Sequence, residues 1–96
     1  MKMLCIVSIT LSMIVLMSMK QERKKIIFFG DSITQQGVRP NGYVDRLKKA
    51  IPGFEVIGAG IGGNKVYDLY LRLEEDVLNK KPSTVVIYVG VNDVWH

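Results

Sequence analysis

Three positions hold groups suited to attack on a carbonyl: a hydroxyl at Ser32, backbone N–H groups in Gly60-Ile61-Gly62-Gly63, and a carboxamide at Asn92. A serine hydroxyl becomes an effective nucleophile once a neighbouring base takes its proton. The negative charge that forms on the attacked oxygen needs hydrogen-bond donors aimed at it. The N–H of Ser32, the N–H groups of the Gly62-Gly63 turn and the side-chain amide of Asn92 are candidate donors. Each residue alone also has a plainer reading. Ser after Gly-Asp is ordinary turn and cap chemistry, and Asn tolerates the left-handed backbone of turns.

What distinguishes them is the element that precedes each one. Ile26-Ile27-Phe28-Phe29 is a short apolar run, and it reads as a buried parallel strand over about Lys25–Phe29. Phe54-Glu55-Val56-Ile57 reads as a second strand, and Thr84–Val89, nearly all apolar, as a third strand buried on both faces. Between them the pattern predicts a helix over about Gly42–Ile51, capped by Asn41, with Val44, Leu47 and Ile51 as its stripe. A second helix is expected over about Lys65–Asn79, capped by Asn64, with Val66, Leu69, Leu73 and Val77 inward. Gln35–Pro40 reads as a loop. The order strand–helix–strand–helix–strand implies a parallel sheet with right-handed crossovers. Its carboxyl ends share one rim, where open α/β sheets bind ligands. Gly30–Thr34, Gly58–Asn64 and Gly90–Asp93 all leave from that rim.

The net charge of +4 is unevenly placed. Lys2, Lys20, Arg23, Lys24 and Lys25 against Glu22 give +4 within residues 1–25, while residues 26–96 hold eight basic and eight acidic residues. No basic face points to nucleic acid. The amino-terminal charges flank the apolar segment Met3–Met19, the layout of a secretory signal peptide with Ser18 as the best cleavage position. An uncleaved anchor is the alternative, and residues 3–19 are then the only membrane contact. The expected division is a leader and polar hinge over 1–24 and a domain over 25–96, exported to the periplasm or the extracellular space. Cys5, the only cysteine, lies in the leader, so the domain has no disulfide and no cysteine metal site. No cofactor or metal is expected.

Gly58-Ala59-Gly60-Ile61-Gly62-Gly63 also satisfies the Gly-x-Gly-x-x-Gly dinucleotide fingerprint. That reading requires an acid at the end of the next strand to hold a ribose. The next strand ends Tyr88-Val89-Gly90, and the Ser32 and Asn92 loops would go unused. It stands as the alternative from a different class of function.

Taken together, Gly30-Asp31-Ser32-Ile33-Thr34, Gly63 within Gly60–Asn64, and Gly90-Val91-Asn92-Asp93 resemble the first three blocks of the SGNH (GDSL-type) hydrolases. The resemblance covers about residues 25–95. It implies a serine esterase or acylhydrolase of three-layer α/β/α, flavodoxin-like fold, with about five parallel strands in the order 2-1-3-4-5. It implies Ser32 as nucleophile and Ser32 N–H, Gly63 N–H and Asn92 as oxyanion hole, with Asp31 and Asp93 positional. The substrate would be a small-molecule, glycan or lipid ester, with acylated glycans favoured by export. The family's last block, Asp-x-x-His, supplies the base and its orienting acid near the end of the domain, and it is expected beyond these residues; Asp93-Val94-Trp95-His96 has the same spacing but belongs to the third block. His96, the only histidine, stands three residues after Asp93, where the family's base does not. The expectation is an incomplete copy holding three of about five strands, and the bland alternative is an inactive half-domain.

Overall fold

The computed structural model describes residues 23–95; the segment Met3–Met19, with Cys5 and Ser18, and His96 lie outside them. Strand β1 (Lys24–Gly30) runs between β2 (Phe54–Gly60) and β3 (Thr84–Tyr88), and all three are parallel, in the order β2-β1-β3. The register places Ile27 opposite Ile57 on one side and Val85 on the other.

Side chains alternate across a strand, and β1 uses both faces. Ile27 and Phe29 point to one side, where they join Leu69 and Val77, with Ile57, Ala59 and Leu73 packed against them. Phe28 points to the other and joins Val44 and Val56, with Ile26, Tyr43, Leu47 and Ile51 around them. Phe28 also meets the Tyr43 ring edge-on, at 5.5 Å between centroids. The chain is therefore a mixed α/β fold: a three-stranded parallel sheet flanked by helices, with α2 (Tyr43–Ala50) on one face and α3 (Val66–Asp76) on the other.

The helix starts differ from the sequence expectations, and in each case a side chain explains why. The stretch after β1 is not open loop: Ser32–Gly37 forms a short helix, α1. Asp31 caps it, accepting the Ile33 N–H at 3.1 Å through Oδ1, as short polar residues do at this position. Asn41 does not cap α2. It sits at φ 68 before the N-cap Gly42, and its N–H donates to Asp45 Oδ2 at 3.0 Å. That hydrogen bond, with Lys49 Nζ at 3.1 Å, holds the Asp45 carboxyl below its usual 3.8. The contact is present above that range and is lost as the pH falls through the lowered value.

Nor does Asn64 cap α3. The N-cap is Lys65, whose N–H goes to Asp68 Oδ2 at 2.8 Å, and Asn64 is engaged elsewhere. The helix stops at Asp76, and Leu78–Lys80 continue as a 3₁₀ turn closed by Lys81 in the left-handed region. Within the expected stripe Leu69 and Val77 are buried, while Val66 is 54% exposed. The Gly90–Asp93 segment turns directly into a one-turn helix, α4 (Val91–Trp95).

Strand β3 is apolar as expected, but all five of its residues are exposed among the described residues. It pairs with β1 only, which leaves the polar groups of its other edge without a strand partner in this sheet. An apolar unpaired edge templates association. The segment 26–96 is expected to self-associate at micromolar concentration, and Ile87→Lys to reduce that association. Sedimentation velocity checks this; a monomer with a single sharp melt contradicts it.

Candidate active site

All three candidate residues lie at the carboxyl rim of the sheet. Ser32 opens α1 immediately after β1 and is half-buried. Asp31, just before it, is fully buried; its Oδ1 is spent on the cap and its Oδ2 has no hydrogen-bond partner among the described residues.

The second loop is a turn over residues 61–64. The Asn64 N–H donates to Ile61 O at 3.2 Å, and Gly63 stands at φ +80. A positive φ at the third position is the mark of a type II turn, and it calls for glycine. This turn packs on the loop that carries Ser32. A Cβ added at Gly62 would lie 3.7 Å from Ser32 Cβ, and one at Gly60 only 2.3 Å from Gln35 N. The Gly62 N–H donates to Gln35 Oε1 at 2.7 Å. No described residue accepts from the Gly63 N–H, and a Cβ at Gly63 would have no atom within 4 Å.

The third loop ties into the second. Asn92 Nδ2 donates to Asn64 O at 3.0 Å, and Asp93 Oδ2 accepts the Val66 N–H at 3.2 Å. A primary amide has two hydrogens, so Asn92 keeps one for another acceptor. The three loops thus form one connected rim: the Ser32 helix bonded to Gly62 through Gln35, and Asn64 to Asn92.

The sequence reading missed Arg72, which organises this rim from below. Its Nη2 donates to Gly30 O at 2.8 Å, at the end of β1. Its Nη1 donates to Ala59 O at 3.1 Å, near the end of β2, and to Asp76 Oδ2 at 2.8 Å. Its Nε donates to Asn64 Oδ1 at 2.8 Å, and the guanidinium lies 4.6 Å from the Phe29 ring centroid. The side chain is only 14% exposed. A signal was available: Arg72 falls three residues after Leu69 and next to Leu73, on the buried stripe, with Asp76 four residues on. A cation at that register has to find buried acceptors.

Thr34 is also buried, and its Oγ1 lies 2.6 Å from Tyr43 OH, which links α1 to α2. A cavity of about 850 Å³ lies elsewhere. Arg23, Lys24, Lys25, Glu55, Lys80 and Lys81 line it at the amino ends of the strands, the rim opposite Ser32.

A half-buried hydroxyl, glycine N–H groups and a carboxamide thus share one rim of a parallel sheet. Residues 28–96 match the GDSL-like Lipase/Acylhydrolase family. The chain belongs to that family. It is 43% identical to an acetylxylan esterase of Geobacillus stearothermophilus, over 75% of this chain and 41% of that protein. It is 36% identical to an uncharacterized lipoprotein of Bacillus subtilis, over 71% of this chain and 31% of the relative. The crystal structure of an acetyl xylan esterase, AlAXEase, superposes with a TM-score of 0.71 at 60% identity, covering 75% of this chain and 39% of that one. The chain spans about two fifths of the length of the first two of these esterases (41% and 39%).

Removing the guanidinium takes a donor from the part-buried Asn64 and Ala59 oxygens and from the Asp76 carboxylate, and leaves Gly30 O with the Ile61 N–H. Arg72→Ala is expected to destabilise the protein by about 3 kcal/mol, the range for breaking a buried pair. Arg72→Lys should recover less than half of that loss, because an ammonium cannot reproduce the fork. Denaturant titration checks both; a loss under about 1 kcal/mol for Arg72→Ala, the net worth of one ordinary hydrogen bond, contradicts the assignment.

Proposed function

We propose that this chain is the nucleophile-bearing half of a serine ester hydrolase of three-layer α/β/α fold, with Ser32 as nucleophile. The N–H groups of Ser32 and Gly63 and the free hydrogen on Asn92 Nδ2 form the oxyanion hole. One observation carries the reading: the turn is bonded to the Ser32 helix through the Gly62 N–H and Gln35 Oε1, and to Asn92 through Asn64 O.

The chemistry follows from those positions. Ser32 Oγ attacks the ester carbonyl as a base takes its proton, and the carbonyl oxygen gains the charge that the donors face. Collapse breaks the bond to the alcohol, which leaves with the proton and leaves an acyl group on Ser32. Water, deprotonated by the same base, then releases the acid. The described residues contain no histidine. The base and its orienting acid are assigned to the Asp-x-x-His block in the part of the domain outside these 96 residues. Solved catalytic mutants of the Geobacillus stearothermophilus esterase replace an aspartate and a histidine three positions apart, which agrees with that assignment. Asp31 and Asp93 are positional, since each caps a helix start.

The relatives' names favour an O-acetylated glycan, with acetylated xylan the leading candidate. Residues 1–24 are assigned to an export leader, with Lys2 before the apolar run Met3–Met19; a relative named as a lipoprotein fits an envelope location. A second reading is an inactive half-domain.

Turnover of an activated aryl acetate separates these readings. The proteins compared are the 96-residue chain, its Ser32→Ala form, and the full-length hydrolase comprising this chain and an Asp-x-x-His half. Ser32-dependent turnover is expected only in the full-length hydrolase. Losing one triad member leaves catalysis only about 10³–10⁴-fold over water, so brisk turnover by the chain alone, abolished in both Ser32→Ala and His96→Ala, would assign the base to His96 instead. Export has its own test: residues 1–30 fused to a reporter active only outside the cytoplasm should produce signal, and a silent reporter rejects the leader.

A further inference from the structure

The turn after β2 offers two consecutive glycine N–H groups, yet only one can sit where an oxyanion forms. We infer that Gln35 makes that choice: it is a positioning residue that engages the Gly62 N–H and leaves the Gly63 N–H as the turn's free donor. This rests on the oxyanion-hole reading above.

The turn has four N–H groups, and the structure accounts for each: that of Ile61 donates to Gly30 O at 3.2 Å. The Asn64 N–H closes the turn on Ile61 O at 3.2 Å. The Gly62 N–H is engaged by Gln35 Oε1 at 2.7 Å. The remaining one, on Gly63, belongs to the central peptide of the turn, whose N–H the turn hydrogen bond does not use. Free rotation of the Gly62-Gly63 peptide is what a glycine pair invites. A flipped central peptide would present a carbonyl oxygen, and an oxygen facing the developing oxyanion repels it. Anchoring the N–H on the preceding residue restricts that flip.

The position of Gln35 makes it suited to this task. It lies three residues after Ser32 on α1, the helix that opens with the nucleophile. Its backbone N–H is fixed to Asp31 O at 3.0 Å, and the bare α-carbon of Gly60 packs against that same nitrogen. One side chain therefore ties the helix carrying the hydroxyl to the turn carrying the donor, and sets the distance between them. At the other end of the turn Arg72 holds Asn64 Oδ1. The turn is pinned at both ends, with Gly63 between the pins. A Cβ at Gly62 would approach Gln35 Oε1 to 2.9 Å and push aside the amide end that holds the turn.

The test uses the full-length hydrolase, with Gln35→Met to remove the acceptor at equal length and Gln35→Glu to keep an acceptor oxygen. Amide exchange read by NMR reports the contact without reference to turnover. In Gln35→Met the Gly62 N–H is expected to exchange several-fold faster, and in Gln35→Glu to return to the parent rate. In aryl acetate hydrolysis Gln35→Met is expected to lower kcat roughly tenfold, the effect of one hydrogen bond of ordinary strength, with KM changed less than twofold. Unchanged Gly62 exchange in Gln35→Met overturns the contact. Faster exchange with unchanged kcat overturns the positioning role while leaving Ser32 as nucleophile. If Ser32→Ala retains the parent turnover, the oxyanion-hole reading itself fails and this inference falls with it.

Discussion

The rim depends on one buried cation. Strands β1 and β2 end side by side, and Gly30 O, near their ends, accepts the Ile61 N–H at 3.2 Å as the chain leaves β2. The Arg72 guanidinium donates to Gly30 O and Ala59 O, and also to the side chain of Asn64, while Asp76 balances its charge. Desolvating a guanidinium costs several kcal/mol, and a buried ion pair by itself often does no better than break even. Here the planar fork meets backbone and side-chain oxygens from separate elements, so its return is geometric as much as energetic. It fixes where β1 and β2 stop relative to the start of α3. The loops that leave from those points carry Ser32, Gly63 and, through Asn64, Asn92.

The two sides of β1 show how unevenly the structure is supported. Toward α2 the sheet is closed by Val44, Phe28 and Val56, with the Tyr43–Thr34 hydroxyl pair tying α1 into the same layer. Toward β3 the packing runs out. Phe29, Leu69, Leu73 and Val89 line a shallow apolar groove of about 190 Å³, bordered by Tyr70 and Ile87, which are 72% and 60% exposed. Exposed apolar area on that scale is unfavourable in a free surface. The site loops nevertheless rest on the well-packed part, because β1 and β2 carry two of the three and the third is bonded to them through Asn64.

Strands and layer order were legible because they depend on local pattern. Ile26–Phe29 and Val85–Tyr88 have the β-branched and aromatic density of buried strands, and the intervening stripes have helical period. The three blocks carrying Ser32, Gly63 and Asn92 were legible for the same reason: each follows its own strand. Caps were not, since Asn41 and Asn64 looked like caps by residue type, yet Asp45 and Asp68 took over from inside the helices and freed Asn64 for Arg72. The Gln35–Gly62 and Arg72–Gly30 hydrogen bonds join residues far apart in the chain, and no local pattern encodes such a partner.

The dinucleotide fingerprint in Gly58–Gly63 shows how the same glycines can serve another purpose. In that motif bare α-carbons let a pyrophosphate approach the backbone. Here the chain's own atoms occupy the space at the first two of them. A Cβ at Gly58 would meet Val38 Cγ1 at 2.2 Å, and one at Gly60 would meet Gln35 N at 2.3 Å and Asp31 O at 2.6 Å. The glycines admit α1 and the turn after it, and so bring the Ser32 helix against β2. A phosphate could enter only by displacing α1, which is capped by buried Asp31 and tied to α2 through Thr34 and Tyr43. Only Gly63 remains open, and one N–H without a partner among the described residues falls short of the several N–H groups at a helix start that a pyrophosphate draws on.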